Sequence, residues 1–342
     1  MRAGTFVELG RVVCLDQPEP TPVDGDLVVR TELASICGSD LHIVMDGVGG
    51  LPPVGSDAGG RQAIMAGSRT SAWPGYPGHE GIGEVIESHH PDFKPGDRVL
   101  CAPDMSVAQC FAEIQALPAR HCHKLPDTDV SAAELLMAQQ LGTVIFALRQ
   151  DPVDVTGKNV VVLGSGSAGQ FHTYMMKRMG AEKVITIDPV ATRLEVATAM
   201  GADVVIDASV VDVEEAVAAE TDGRGADYLI EAVGRRDALL QTTELAGVGA
   251  SMLWFGLPDS NEPVPIDFNH FFRKKLRASS TYGAQNEGDQ SSFKTALGMI
   301  ARGEIDVAQV VSHTLPIERI EEAMVMAHER TDGARKVSIS FG

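Results

Sequence analysis

The chain has 342 residues, 44% of them hydrophobic, which exceeds the size at which one core usually stops growing and predicts two domains. Its 28 basic and 47 acidic residues give a net charge of −19, and this excess of negative charge argues against nucleic acid or an anionic membrane surface as a partner. The sequence shows neither a signal peptide nor a run of about 18 apolar residues, and its five cysteines form no CxxC pair. We therefore expect a cytoplasmic protein with reduced thiols.

The first 125 residues or so contain short apolar runs such as DLVVRTELAS, GEVIES and GDRVLCAP, which are broken by proline, glycine and aspartate. Their period of two predicts an antiparallel or barrel-like β domain. Residues 43–77 are rich in glycine and too long for an ordinary connection, so we expect a functional or mobile segment. We interpret Arg61 and Arg69 within it as solvated charges, with a clamp for an anionic substrate group as the alternative.

From residue 132 the hydrophobic pattern becomes helical over a long segment, AAELLMAQQLGTVIFALRQ. Apolar strand-like runs that alternate with helical stretches follow it. This alternation predicts a doubly wound parallel sheet. After about residue 275 the segments KTALGMIARGEI and IERIEEAMVMAHE predict two helices before a last strand, KVSISF.

A glycine-rich turn follows the apolar strand NVVVL and begins a helix. It reads Gly164-Ser165-Gly166-Ser167-Ala168-Gly169 and matches GxGxxG. The three glycines permit the tight turn, the approach of backbone to a pyrophosphate, and close helix–strand packing. Because helix N-termini favour anions, the pyrophosphate of a dinucleotide is expected here, with Ser167 and Ala168 at the start of the helix.

Asp188 ends the second strand of this unit, VITID, nineteen residues after Gly169. A carboxylate at this place accepts hydrogen bonds from the adenosine ribose and repels a 2′-phosphate, so NAD is favoured over NADP. Arg193 could soften this preference by binding a phosphate, and a simple helix cap is the alternative role for Asp188.

Two motifs in the β domain carry metal-ligand residue types. CGSDLH contains Cys37, Ser39, Asp40 and His42, and PGHEGIGEV contains His79 followed by Glu80. Thiolate and imidazole are good zinc ligands, and a catalytic zinc needs protein ligands and one open position.

With these motifs the chain resembles the zinc-dependent medium-chain dehydrogenase/reductase superfamily, in its alcohol, polyol and sugar dehydrogenase branch. The resemblance runs through CGSDLH, GHEGIGEV, KPGDRV, VVVLGSGSAG and the C-terminal KVSIS. It implies an α/β protein in which a GroES-like β-barrel-type catalytic domain, residues 1–148 and 276–342, is joined to a Rossmann domain, residues 149–275. It also implies an active site in the cleft between them.

The resemblance further implies a role for each matched residue. Cys37 and His79 correspond to zinc ligands, Glu80 to a neighbouring carboxylate that can bind the metal, and Asp40 to the partner of the ligand histidine. Ser39 and His42 correspond to a proton relay that includes the nicotinamide ribose, with a surface turn residue as the alternative role for His42. The cofactor site comprises Gly164, Gly166, Ser167, Ala168, Gly169, Asp188 and Arg193.

The chain departs from the family pattern at two places. Four closely spaced cysteines that would hold a structural zinc are missing after GDRV, so we expect one catalytic zinc and no structural zinc. Where relatives carry a third charged ligand, alignment places Gln139, with Glu134 as the competing ligand five residues earlier. Some sugar dehydrogenases of the superfamily resemble this glutamine arrangement, which favours a polyol or sugar substrate.

The expected function is therefore reversible oxidation of a small-molecule alcohol to its carbonyl, with hydride transfer to NAD. A zinc-free reductase of activated double bonds and a non-catalytic nucleotide-binding relative are the alternatives. The apolar strand ASMLWFGLP is a plausible contact between subunits, so we expect a homodimer or homotetramer.

Overall fold

The computed structural model of the protein describes residues 1–47 and 73–342. Arg61 and Arg69 lie outside the described residues, and the clamp and the solvated charges both remain predictions for them. The chain divides into two compact units, residues 1–142 with 283–342 and residues 143–282. Among the helices in the described ranges, none has the length and apolar character that crossing a bilayer requires.

The first unit begins with strands separated by turns, as the period-two runs predict. Its first strands are β1 (Arg2–Glu8), β2 (Arg11–Asp16), β3 (Asp26–Ser35), β4 (Gly81–Ser88), β5 (Arg98–Cys101), β6 (Ile114–Pro118) and β7 (Cys122–Lys124). A short helix, α1 (Gly38–Leu41), follows β3 and continues into a π-helical turn, His42–Asp46. Helix α2 (Ala132–Gln150) crosses the boundary between the two units at residue 142.

The second unit alternates strand and helix. Its strands are β8 (Asn159–Leu163), β9 (Lys183–Asp188), β10 (Val204–Asp207), β11 (Ala226–Glu231), β12 (Ala246–Trp254) and β13 (Arg277–Ser280). Its helices are α3 (Ser167–Arg178), α4 (Ala191–Ala199), α5 (Val213–Glu220), α6 (Arg236–Leu245) and α7 (Phe268–Arg273).

These six strands form one parallel sheet in the order β10-β9-β8-β11-β12-β13. This is the strand order of a doubly wound dinucleotide fold. Every residue of β8, NVVVL, is buried, as expected for a central parallel strand that is covered on both faces. The unit includes β13 and so extends past residue 275, where the sequence predicts the end of this domain.

The C-terminal segment returns to the first unit. It consists of α8 (Ser291–Ala301), β14 (Val311–Pro316), α9 (Ile320–Glu329) and β15 (Lys336–Ser340). Strand β15 pairs antiparallel with β3, with Ser338 opposite Ser35. The resulting sheet runs β14-β15-β3-β4-β5-β7, with β6 also on β3, while β1 and β2 form a separate pair.

The hydrophobic core of the first unit contains side chains from both ends of the chain. Val29, Phe111 and Leu117 are fully buried in it together with Ile320 and Ile339 from the C-terminal segment. Burial of each such side chain contributes about 1.5–3 kcal/mol, so the C-terminal return is held by its apolar face. The predicted fold class, a β domain with a doubly wound parallel-sheet domain, is confirmed.

Candidate functional site

Three of the four predicted metal ligands lie together at one end of the β3–β4 strand pair. Cys37 is the residue before α1, while His79 and Glu80 come directly before β4. Antiparallel pairing joins the two segments, because the backbone N–H of Ser35 donates to the carbonyl oxygen of Glu80 at 3.1 Å. The Cys37 sulfur, a ring nitrogen of His79 and a carboxylate oxygen of Glu80 all lie within 4.8 Å of one another.

Asp40 contacts two of these residues, the ring of His79 and the backbone of Cys37, from a fully buried position. One carboxylate oxygen lies 2.9 Å from Nδ1 of His79, and the other accepts the backbone N–H of Cys37 at 2.9 Å. Nδ1 of His79 donates to the backbone carbonyl oxygen of Pro77 at 3.2 Å, which leaves the lone pair of Nε2 available to a metal. Burial raises the pKa of Asp40, and although burial opposes it, the Asp40 carboxylate raises the pKa of His79.

Glu80 is held by a buried lysine that is not among the residues predicted from the sequence. Nζ of Lys336 forms an ion pair with Oε2 of Glu80 at 2.6 Å, and the side chains are 2% and 1% exposed. The Ser35 hydroxyl also donates to Oε2, whereas the buried Oε1 has no hydrogen-bond partner within residues 1–47 and 73–342. Burial opposes ionisation of both groups, but each charge stabilises the other, so the pKa of Glu80 is lowered and that of Lys336 is raised.

The glutamine that approaches this cluster is Gln140. Its Oε1 lies 4.0 Å from the Cys37 sulfur and 3.5 Å from Nζ of Lys336. Consecutive helical residues point about 100° apart, so Gln139 and Gln140 present their side chains to different sides of α2. Gln139 is also buried, and its role as the ligand predicted from the sequence stays a prediction. The competing candidate, Glu134, forms a capping box with Ser131 at the start of α2.

The predicted relay residues lie on the helical turn that follows Cys37. The Ser39 hydroxyl is 3.4 Å from Nε2 of His79, which places it beside the metal-ligand atoms. His42 begins the π-helical turn, and its side chain is 17% exposed. Side chains three residues apart lie on the same face of a helix, so Ser39 and His42 face the same side.

These residues fit a zinc ion by their chemistry. A thiol, an imidazole and a carboxylate are a zinc donor set, and an unpartnered buried oxygen such as Oε1 of Glu80 is costly unless a cation or a donor meets it. By contrast, Cys101, Cys110 and Cys122 are buried in the core of the first unit. Burial raises the pKa of Cys110 well above the usual thiol value, as expected for a thiol that packs in a core.

The glycine turn of the second unit has the close approaches that the GxGxxG pattern predicts. Gly164 has a φ of +98°, and a Cβ there would lie 2.6 Å from a methyl carbon of Val233. A Cβ on Gly169 would lie 1.8 Å from the carbonyl oxygen of Gly164. Gly166 is the N-cap of α3, and Ser167 and Ala168 are its first two residues. The turn therefore places the N-terminus of α3 directly after two glycines, which fits a pyrophosphate.

Asp188 holds this turn in place. Its two carboxylate oxygens accept the backbone N–H of Ser165 at 2.8 Å and that of Val190 at 2.9 Å. The Arg193 guanidinium lies 3.9 Å from the Asp188 carboxylate, and the Ser165 hydroxyl donates to the Arg193 carbonyl oxygen at 3.1 Å. Both residues thus lie beside the turn at which the sequence predicts the pyrophosphate, and Asp188 is the residue predicted to bind the adenosine ribose.

Comparison with known proteins matches both units. Residues 23–127 match the alcohol dehydrogenase GroES-like domain model, and residues 168–302 match the zinc-binding dehydrogenase model. An L-threonine 3-dehydrogenase of Caldanaerobacter subterraneus is 26% identical over 87% of this chain and 87% of its own length. An alcohol dehydrogenase of Cupriavidus necator is 26% identical over 99% of this chain and 98% of its own. Among solved structures, the alcohol dehydrogenase TADH from Thermus sp. ATN1 superposes with a TM-score of 0.82 at 25% identity over the whole of both chains.

Proposed function

The chain belongs to the zinc-dependent medium-chain dehydrogenase/reductase superfamily, and from this we propose that it is a zinc- and NAD-dependent dehydrogenase that interconverts a secondary alcohol, polyol or sugar with its carbonyl. The observation that carries the proposal is the convergence of Cys37, His79 and Glu80 within 4.8 Å, with Asp40 holding the first two. A reductase of double bonds has no need for such a donor set.

Each residue of the cluster has a separate task. Cys37 and His79 hold the metal, and Glu80 and Gln140 are the candidates for a further ligand, because both present oxygen atoms beside the Cys37 sulfur. When bound, zinc supplies a Lewis acid that polarises the oxygen of the substrate, and NAD supplies the hydride acceptor. The Ser39 hydroxyl accepts the proton that leaves the alcohol as it gives up its own hydrogen to the relay, and Nε2 of His42 receives a proton at the end of the relay and releases it to solvent.

The choice of NAD rests on Asp188. Its carboxylate is ordered by two backbone N–H groups and would oppose a 2′-phosphate, whereas Arg193 at 3.9 Å leaves NADP as the minority cofactor. For the substrate, the threonine and alcohol dehydrogenases among the relatives support an alcohol. A neutral glutamine in the place of a charged ligand supports a polyol or a sugar as the substrate.

Metal analysis of the purified protein and a turnover assay test the proposal together. We expect about one zinc per chain and NAD reduction, followed by absorbance, with at least one member of a panel of secondary alcohols, polyols and sugar derivatives. Removal of zinc with a chelator should abolish turnover, and zinc should restore it. Turnover that persists without zinc would reject the proposal, and bound zinc and NAD without turnover on a broad panel would instead indicate a non-catalytic relative.

A further inference from the structure

His42 makes a contact that the proposed relay does not use. Its Nδ1 lies 2.9 Å from Oδ2 of Asp46, at the other end of the π-helical turn. The second oxygen of Asp46 lies 3.3 Å from Nε2 of His328, in the last turn of α9. One carboxylate thus bridges two imidazoles that are 286 residues apart in the sequence.

The local backbone explains why His42 and Asp46 meet. Residues four apart are neighbours on a helix surface, and this pair spans a π-helical turn that ends at Gly47, which has a left-handed conformation. Such π-helical insertions are rare and occur frequently at functional sites. His328 then approaches from a different element, so the contact with the second oxygen depends on the tertiary fold.

The exposure of the three side chains increases in one direction. His42, Asp46 and His328 are 17%, 31% and 39% exposed. A proton on His42 therefore starts in a half-buried position with solvent on the far side of the same cluster, as the exit of a proton path requires.

The contacts also determine which ring nitrogen of His42 carries hydrogen. An ionised carboxylate only accepts hydrogen bonds, so Nδ1 of His42 and Nε2 of His328 must each donate to it. The neutral His42 ring then has its lone pair on Nε2, and a proton that arrives there creates an imidazolium next to the Asp46 charge. A carboxylate that fixes the tautomer of a catalytic histidine and stabilises its charged form is a known arrangement in other enzymes.

We propose that Asp46 is a positioning residue of the proton relay, which holds His42 in the Nδ1–H form, and that His328 fixes Asp46 in place through its second oxygen. The inference rests on the proposed function, in which Nε2 of His42 receives one proton for each alcohol oxidised and releases it to solvent.

The tautomer is tested directly by nitrogen-15 NMR of histidine-labelled protein, with the His42 signal assigned from the His42→Gln variant. We expect the Nδ1–H form in the wild type and a mixture of tautomers in Asp46→Ala. Asp92→Ala is the matched control, because Asp92 lies 3.9 Å from a ring nitrogen of His90 at an exposed position, and it should leave His42 unchanged. An Nε2–H tautomer in the wild type, or no change in Asp46→Ala, would overturn the inference without any reference to turnover.

Steady-state kinetics test the positioning role of Asp46 independently of the NMR experiment. Loss of a proton-transfer residue itself lowers kcat by ~100-fold or more, and loss of a residue that only positions it should cost less. Asp46→Ala should therefore lower kcat about tenfold, while KM for the alcohol and the zinc content stay unchanged. Asp46→Glu should recover part of the rate, and the double variant with His42→Gln should be no slower than His42→Gln alone. If His42→Gln lowers turnover but Asp46→Ala does not, or if the two losses multiply, the positioning role is wrong. If His42→Gln leaves turnover intact, the proposed proton path is itself rejected, whereas the NMR result still decides the contact with Asp46.

Discussion

The buried ion pair between Lys336 and Glu80 gives the sharpest stability prediction. Replacement of Lys336 by methionine keeps the length of the side chain but leaves the Glu80 carboxylate, among the described residues, with the Ser35 hydroxyl as its remaining donor. Removal of one partner from a buried pair costs about 3–5 kcal/mol, because the remaining charge stays out of water without compensation. For a unit of roughly 200 residues each kcal/mol corresponds to about 2–4 °C, so the apparent melting temperature should fall by on the order of 10 °C.

The assay is thermal and urea unfolding of the metal-free protein at neutral pH. Lys124→Met is the matched control, because Lys124 forms a similar 2.8 Å ion pair with Asp97 but is 50% exposed, and surface pairs contribute about 0–1 kcal/mol. The double variant Glu80→Gln with Lys336→Met removes both charges, so its loss should be smaller than the sum of the two single losses. A loss below about 1 kcal/mol for Lys336→Met, equal to that of Lys124→Met, would refute the reasoning.

Added zinc and lower pH change the size of this effect in a defined direction. Zinc compensates the orphaned carboxylate, so the difference between Lys336→Met and wild type should shrink when zinc is present. The pKa of Glu80 is lowered in the folded protein, so its contribution to stability is complete at neutral pH. This contribution is lost as the pH falls through the acid range below the unfolded pKa of about 4.3. The difference between the two proteins should therefore also shrink in acid.

Three further predictions concern the ligand, the cofactor and a buried histidine. Gln140→Ala should weaken zinc binding about tenfold or more in a competition titration, whereas Gln139→Ala should not, and the reverse order would restore the assignment predicted from the sequence. Asp188→Asn keeps a hydrogen-bond acceptor but removes the charge, so the ratio of kcat/KM for NAD over NADP should fall at least about tenfold, and an unchanged ratio would remove Asp188 from cofactor selection. Burial lowers the pKa of His123 to about 4, and Nε2 of this ring lies 2.7 Å from Oε1 of Gln290. As the pH falls from about 6.5 towards 4, His123 is therefore protonated in the unfolded chain before it is protonated in the folded protein. The free energy of unfolding of the wild type should fall over that range more steeply than that of His123→Gln, which urea unfolding at several pH values measures.

Some features of the site follow from the sequence because their signals are local. The turn from Gly164 to Gly169 must be glycine where a Cβ would lie 1.8 Å from a carbonyl oxygen, and such a requirement is visible as a spacing. In the same way Cys37 and Asp40 share one short helix, so the N–H of one reaches the carboxylate of the other without help from the rest of the fold. The alternation of helix and strand after residue 132 predicts the parallel sheet for the same reason.

Other features depended on tertiary structure. Gln139 and Gln140 have the same chemistry, and only the rotation of α2 about its axis brings Oε1 of Gln140 to 4.0 Å from the Cys37 sulfur. Lys336 is the first residue of β15, and its pairing with Glu80 exists because β15 returns to lie beside β3. His328 reaches Asp46 by the same C-terminal return. Motifs whose residues lie within one turn or one strand–helix unit can be predicted from the sequence. Contacts between residues hundreds of positions apart require the fold, because they are set by the packing of whole elements, to which no short stretch of sequence corresponds.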